Sequence, residues 1–204
     1  AVSAKCKLCG ALVEDYPHMQ RGCEATKDCR QQTHDNIATA LNEGIRQLRP
    51  TATVADRPVM GTLFPRCRDR RPDLAPFTPD GIVQDGDDIF INEVTTCFSS
   101  DPVKRGTARG NKHNTYHSVR LFLEQEFPKA RVHLHTYVMS IHTEYTQAVW
   151  DRQLSRHTRD PGKARKVQKA CVEACIEGLG NLAALRRHLL EAQFGPAGLE
   201  SSET

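Results

Sequence analysis

The chain opens on Cys6, Cys9, His18 and Cys23, spaced C-x2-C-x8-H-x4-C, and that spacing suits one metal ion. Two thiolates two residues apart meet an ion across a turn, and Gly10 permits the sharp bend that follows. His18 and Cys23 then close a tetrahedron once the chain folds back. Soft sulfur and imidazole nitrogen select zinc. Four protein ligands leave no position for a substrate, so the expected zinc is structural. Cys29 and His34 lie close enough in sequence to replace His18 or Cys23. With eight cysteines and no signal-peptide core at the N-terminus, free thiols and metal ligands are expected rather than a disulfide framework.

A second group of residues carries carboxylates. Residues 79–96 read PDGIVQDGDDIFINEVTT and predict a hairpin: strand 81–84, a turn at Asp85-Gly86, strand 89–96. Alternation places Ile89, Ile91, Glu93 and Thr95 on one face and Phe90, Asn92, Val94 and Thr96 on the other. A glutamate among isoleucines must be paired, protonated or bound to metal. Asp80 opens the first strand, opposite the end of the second. Two carboxylates there suit Mg²⁺ or Mn²⁺, with water and a substrate phosphate completing the shell. Asp73 also follows a proline, but thirteen residues on lies Gly86, with Asp87 and Asp88 in the turn. An acid at a turn tip cannot meet one at a strand start, so Asp80 is the better candidate. Downstream, Lys112, Tyr116, Val119, Leu123 and Phe127 form the buried stripe of a helix over 106–127. Lys112 heads that stripe and so points toward the sheet, where it can orient water or steady a phosphate; the alternative is that it snorkels to solvent.

These groups need elements to hold them. Ile37, Leu41, Ile45 and Leu48 predict a helix over 29–48, capped by Thr33 or Asp35 and stopped by Pro50; His34 at its start is equally a packing, capping or functional residue. Five prolines make 50–77 mostly loop, with a short edge strand at 57–64. The run 66–71 is a basic cluster usable on phosphates. A strand is expected over 131–141, with His133 and His135 on the face of Tyr137 and Met139, and helices over 143–157 and 163–193. Gly178 and Gly180 are expected to bend or break the last helix, Cys171 and Cys175 to be core residues, and 195–204 to be disordered. His113 and His117 lack a third ligand and read as surface residues.

At 204 residues the chain holds one domain or one and a half. An apolar share of 38% supports a modest core, and 26% charged residues with mean hydropathy −0.55 leave a large polar surface. No apolar run is long enough to span a bilayer. The net charge of +3 is uneven: residues 31–100 hold 7 basic and 10 acidic side chains, residues 101–172 hold 14 and 6. Such a basic stretch suits a polyanion. No internal repeat, phosphate-binding glycine loop or nucleophile triad points to another enzyme class.

In order, these features resemble the PD-(D/E)xK nucleases. More closely, they resemble the C-terminal region of site-specific non-LTR retrotransposon proteins with a restriction-like endonuclease. The resemblance rests on Cys6, Cys9, His18 and Cys23, then Arg30 and His34, then Pro79-Asp80, twelve intervening residues, Glu93, and Lys112-x3-Tyr116. Glu93-Val94-Thr95 stands where the family usually has Asp in D-V-T. Thr95 stands where the wider superfamily has its lysine, so activity depends on Lys112 acting from the helix.

The resemblance implies a CCHC zinc knuckle at 1–30, an α/β restriction-endonuclease-like core at 31–142 (a small mixed sheet flanked by helices), and a helical extension at 143–204. It implies catalytic Asp80, Glu93, Lys112 and Tyr116, with Asp80 and Glu93 holding Mg²⁺. Arg68, Arg70, Arg71, Lys104, Arg105 and Arg109 are expected on DNA phosphates. The activity implied is nicking of chromosomal target DNA in the nucleus, priming reverse transcription by another domain of the same polypeptide, with element RNA as a further partner. Two other readings are a nuclease fold kept only for binding nucleic acid and a zinc-stapled protein-interaction module.

Overall fold

The computed structural model describes residues 5–11, 18, 23–97, 102–140 and 147–194. A short 3-10 turn, Glu24–Thr26, leads into α1 (Lys27–Leu48), then β1 (Thr53–Asp56), α2 (Met60–Leu63) and α3 (Arg66–Arg70). The hairpin β2 (Gly81–Asp85) and β3 (Asp88–Cys97) follows, then α4 (Pro102–Glu126), β4 (Arg131–Ser140), α5 (Gln147–Leu154) and α6 (Pro161–Phe194). The four strands lie in the order β1-β2-β3-β4; the first three are antiparallel and β4 runs parallel to β3. The protein is therefore α/β, with a small mixed sheet flanked by helices. A parallel neighbour needs a crossover, which α4 provides.

The hairpin turns on Gly86 and Asp87, with Asp85 opposite Asp88. Gly86 has φ +56°, the left-handed conformation such a tight turn demands. Period-2 alternation then sends side chains to two cores. Val83, Phe90, Val94, Tyr137 and Met139 meet α1, α5 and α6, burying Ile37, Leu41, Trp150, Val167 and Cys171. Ile82, Ile89, Ile91 and Val132 meet α4 and the α2–α3 segment, burying Val119, Leu123, Met60 and Phe64.

At the outer edge, the Trp150 indole N–H donates to the Val138 carbonyl (3.0 Å) and the Gln153 amide to that of Thr136 (3.1 Å). Those carbonyls of edge strand β4 are thus covered.

Several expectations shift. The edge strand is at 53–56, not 57–64: Arg57 turns to φ +41°, Pro58 follows, and residues 60–63 coil into α2. The basic run 66–71 is helical over 66–70 rather than loop. Thr33 lies inside α1, its hydroxyl donating to the Cys29 carbonyl (2.9 Å), so it caps nothing. The last helix is unbroken through Gly178 and Gly180. A Cβ at Gly178 would lie 2.3 Å from Thr33 Cγ2, and one at Gly44 would lie 2.6 Å from Val167 Cγ1. The small residues let α1 and α6 approach, and that packing outweighs the roughly 1 kcal/mol helix penalty of glycine. Cys171 and Cys175 are core residues, as expected. Residues 195–204 lie outside the described residues.

Candidate functional site

Two sites emerge. In the first, ligand atoms of Cys6, Cys9, His18 and Cys23 all lie within 4.8 Å of one another. The sulfurs of Cys6 and Cys23 are 3.9 Å apart, and Cys9 Sγ is 3.2 Å from His18 Nε2. Tetrahedral bonds of about 2.0–2.3 Å have edges of roughly 3.3–3.8 Å, and these two pairs lie near that range. Burial works against ionising Cys6, yet backbone N–H groups of Cys9 and Leu8 bring its thiol down to about 6. Gly10, at φ +74°, makes the bend. Among the described residues Cys29 and His34 are outside the cluster. The four residues are close enough to bind a metal ion and are compatible with structural zinc. The purified chain is expected to carry one zinc, measured by plasma emission spectroscopy, and Cys9→Ser to lose most of it. An equal zinc content in both would break the assignment.

The second site follows from strand register. Gly81 pairs with Asn92, so the residues just beyond them, Asp80 and Glu93, face each other. The Asp80 N–H donates to Glu93 Oε1 (3.2 Å), and the Val94 N–H to Asp80 Oδ2 (2.7 Å). Glu93 is fully buried and Asp80 6% exposed. From α4, Lys112 Nζ donates to Glu93 Oε2 at 2.9 Å and stands 3.8 Å from Asp80 Oδ2. Lys112 is thus drawn into the site and does not snorkel away. Burial, then the neighbouring Asp80 charge, push the Glu93 carboxyl up to about 8 against the pull of Lys112. Tyr116 stands one turn on, its hydroxyl donating to the Thr78 carbonyl (3.1 Å). It therefore fastens the segment that enters Pro79-Asp80. Burial, with Glu93 and Asp80 nearby, raises its phenol and keeps it neutral.

Four further residues join this site. His34, on α1, has Nε2 3.1 Å from the Val94 carbonyl and 3.4 Å from Asp80 Oδ2. A carbonyl only accepts, so Nε2 carries a proton. Burial opposes charging of His34, but Asp80 outweighs it and the pKa is raised. Asp35 contacts His34 Nδ1 at 3.4 Å and pairs with Arg57. Arg57 also donates its backbone N–H to the Asp80 carbonyl (3.2 Å), which Asn42 Nδ2 approaches at 2.8 Å. Its left-handed conformation is uncommon for a non-glycine residue and costs on the order of 1 kcal/mol, held here by these contacts. The sequence carried one signal for His34: it lies three residues before Ile37, on the stripe that faces the sheet. Nothing local marked Arg57.

Of the arginines expected on phosphates, Arg70 pairs with Glu126, Arg71 forks onto Asp73 (2.9 and 2.7 Å), and Arg68 reaches Thr62 Oγ1 (3.4 Å). Lys104 and Arg109 are exposed on the first half of α4, and Arg105 is half-buried. His113 and His117 sit with ring centroids 6.2 Å apart and belong to no metal cluster among the described residues. His133 and His135 flank Phe90 on the α1–α6 side (4.8 and 5.4 Å).

Compared with protein-family models and with curated proteins, the sequence gives no match. No described helix is long and apolar enough to cross a membrane.

Proposed function

We propose that this chain is a metal-dependent DNA endonuclease with a PD-(D/E)xK core, of the kind carried by site-specific non-LTR retrotransposon proteins. The observation that carries the reading is the meeting of Asp80, Glu93 and Lys112 from three parts of the chain. The order helix, three-stranded meander, helix, parallel strand supports it as well. In this reading the chain nicks a chromosomal target strand in the nucleus. The 3′-hydroxyl primes reverse transcription by another domain of the same polypeptide, on element RNA.

The donor set fits a hard divalent cation. Two carboxylates lie together with one ammonium, one of them fully buried and hard to ionise without more positive charge. Asp80 and Glu93 would hold Mg²⁺ or Mn²⁺, which when bound acidifies water and offsets phosphate charge. Lys112, held by Glu93, presents a positive charge at the mouth of the site and steadies a phosphate as its charge grows. His34 and the Val94 N–H fix Asp80, while Tyr116 anchors the loop before it. Lys104 and Arg109, with Arg105 on the same helix, supply backbone contacts of no sequence preference, and Arg68 on α3 offers a further one.

The test is supercoiled plasmid with Mg²⁺ or Mn²⁺. Wild type is expected to nick it, Asp80→Ala to lose at least about a thousandfold in rate, and Lys112→Ala a hundredfold or more. Folded, zinc-loaded wild type that binds plasmid without nicking it would point instead to a nucleic-acid scaffold. Weak binding that ignores salt would point to a protein-interaction module.

A further inference from the structure

The basic excess of residues 101–172 divides between two faces of the sheet. Lys104, Arg105, Arg109, Lys112 and Arg120 belong to α4 on one side; seven more cluster where α5 turns into α6, on the other, with Lys129 and Arg131 around the start of β4. Residues 151–169 hold seven basic and two acidic side chains. Arg152, Arg156, Arg159, Lys163, Arg165 and Lys166 are all exposed, and none forms an ion pair among the described residues. By contrast Arg46, Arg49, Arg57, Arg71 and Arg131 each meet a carboxylate.

The corner is also held in place. Arg49 reaches both Asp85 and the Arg156 carbonyl, tying it to the hairpin end of the sheet. His157 beside it packs on Phe90, ring centroids 4.4 Å apart. Asp160 Oδ1 accepts from the Gly162 and Lys163 N–H groups (2.8 and 3.2 Å), so the start of α6 is already capped and the cationic side chains face out. Glu93 lies three residues beyond Phe90, about 10 Å along the strand, with its side chain on the other face. The corner and the Asp80–Glu93 site thus lie on opposite faces of the sheet.

We infer that the α5–α6 corner is a second binding surface, separate from the carboxylate site, for the phosphodiester backbone of a nucleic acid. Guanidinium groups suit phosphate through paired N–H donors, and four of the six cations are arginines. The apolar side chains of the corner, Leu154, Ala164 and Val167, are buried. It therefore lacks the exposed apolar anchors that membrane insertion or a stable protein contact uses. This inference stands apart from the nuclease reading, since it concerns binding on the opposite face and needs no cutting.

The experiment uses the zinc-loaded chain without added divalent cation, titrated by fluorescence anisotropy into short duplex DNA and, separately, single-stranded RNA, over a range of salt. The variant is Arg152→Glu/Arg159→Glu/Lys166→Glu, with the glutamine triple variant as a second form in case charge reversal impairs folding. Affinity for at least one probe is expected to fall roughly tenfold or more, with a salt dependence flatter by about two to three counterions. The probe that loses more names the source of the backbone. Affinities within about twofold of wild type for both probes would overturn the inference. So would a larger loss of binding to polyglutamate or to anionic vesicles than to either nucleic acid.

Discussion

Glu93→Gln is expected to abolish nicking and, in the same protein at pH 8 without added Mg²⁺, to raise the melting temperature. Both effects come from one burial. The Glu93 carboxyl is fully enclosed beside Asp80, and its pKa rises from 4.5 to about 8. In the unfolded chain the group is ionised above about 4.5; in the fold it keeps its proton until about 8. The folded state thus binds more protons between these values, and stability falls as pH rises through that window. At pH 8 the loss is on the order of 4 kcal/mol, and near pH 5.5 on the order of 1 kcal/mol. Glutamine has the same shape and no charge, so it escapes this cost while losing the anion a cation would need. The advantage of Glu93→Gln over wild type should therefore grow with pH, as read by urea unfolding at both values. An advantage that stays flat would show that Glu93 is not the strained group.

The second large effect runs the opposite way with pH. His135 and His157 are 7% and 4% exposed, and burial brings both from 6.5 to about 3, with His133 and nearby arginines adding to the effect. Both His157 ring nitrogens are buried with no hydrogen-bond partner among the described residues, between rings at 4.4 Å (Phe90) and 5.6 Å (His135). The unfolded chain takes up protons here below about 6.5 while the fold refuses them, so stability falls as pH drops from 6.5 toward 3. At pH 5 each histidine accounts for about 2 kcal/mol. In the Glu93→Gln background, where the opposing Glu93 trend is removed, urea stability should fall steeply from pH 7 to 5, and adding His157→Phe should leave close to half of that loss. Equal slopes in the two proteins would refute the assignment. The same slope is present in Glu93→Gln, so it cancels from that comparison.

The parts of the site legible in the sequence were those with local rules. Alternation around Asp85-Gly86 located both carboxylates, because strand period and turn chemistry together determine register. The stripe Lys112, Tyr116, Val119, Leu123 oriented the lysine for a similar reason. The spacing of Cys6, Cys9, His18 and Cys23 announced their cluster. What escaped depends on pairings far apart in the chain. Thr53–Asp56 is a strand because Thr53 pairs with Gln84, not because TVAD alternates. Arg57 matters through the Asp80 carbonyl and Asp35, and His34 through Val94, sixty residues away. Gly178 stays helical because α1 presses on it, a tertiary effect that local propensity opposes. The α/β class was legible; the boundary drawn at residue 142 does not mark the edge of the core, since α6 buries Val167, Cys171 and Cys175 against α1.

That last contact has a consequence for synthesis. Cys171 lies against the Ile37 carbonyl, 134 residues earlier in the chain, so a ribosome makes both partners far apart in time. Until α6 emerges, Ile37, Leu41 and Ile45 on α1 and Val83 and Phe90 on the sheet have no cover from it. Between completion of the hairpin and synthesis of α6 the nascent chain thus presents an open apolar face, the condition in which holding chaperones act and aggregation competes. The carboxylate site is complete in sequence by Tyr116, but the wall that α6 supplies is made some fifty residues later.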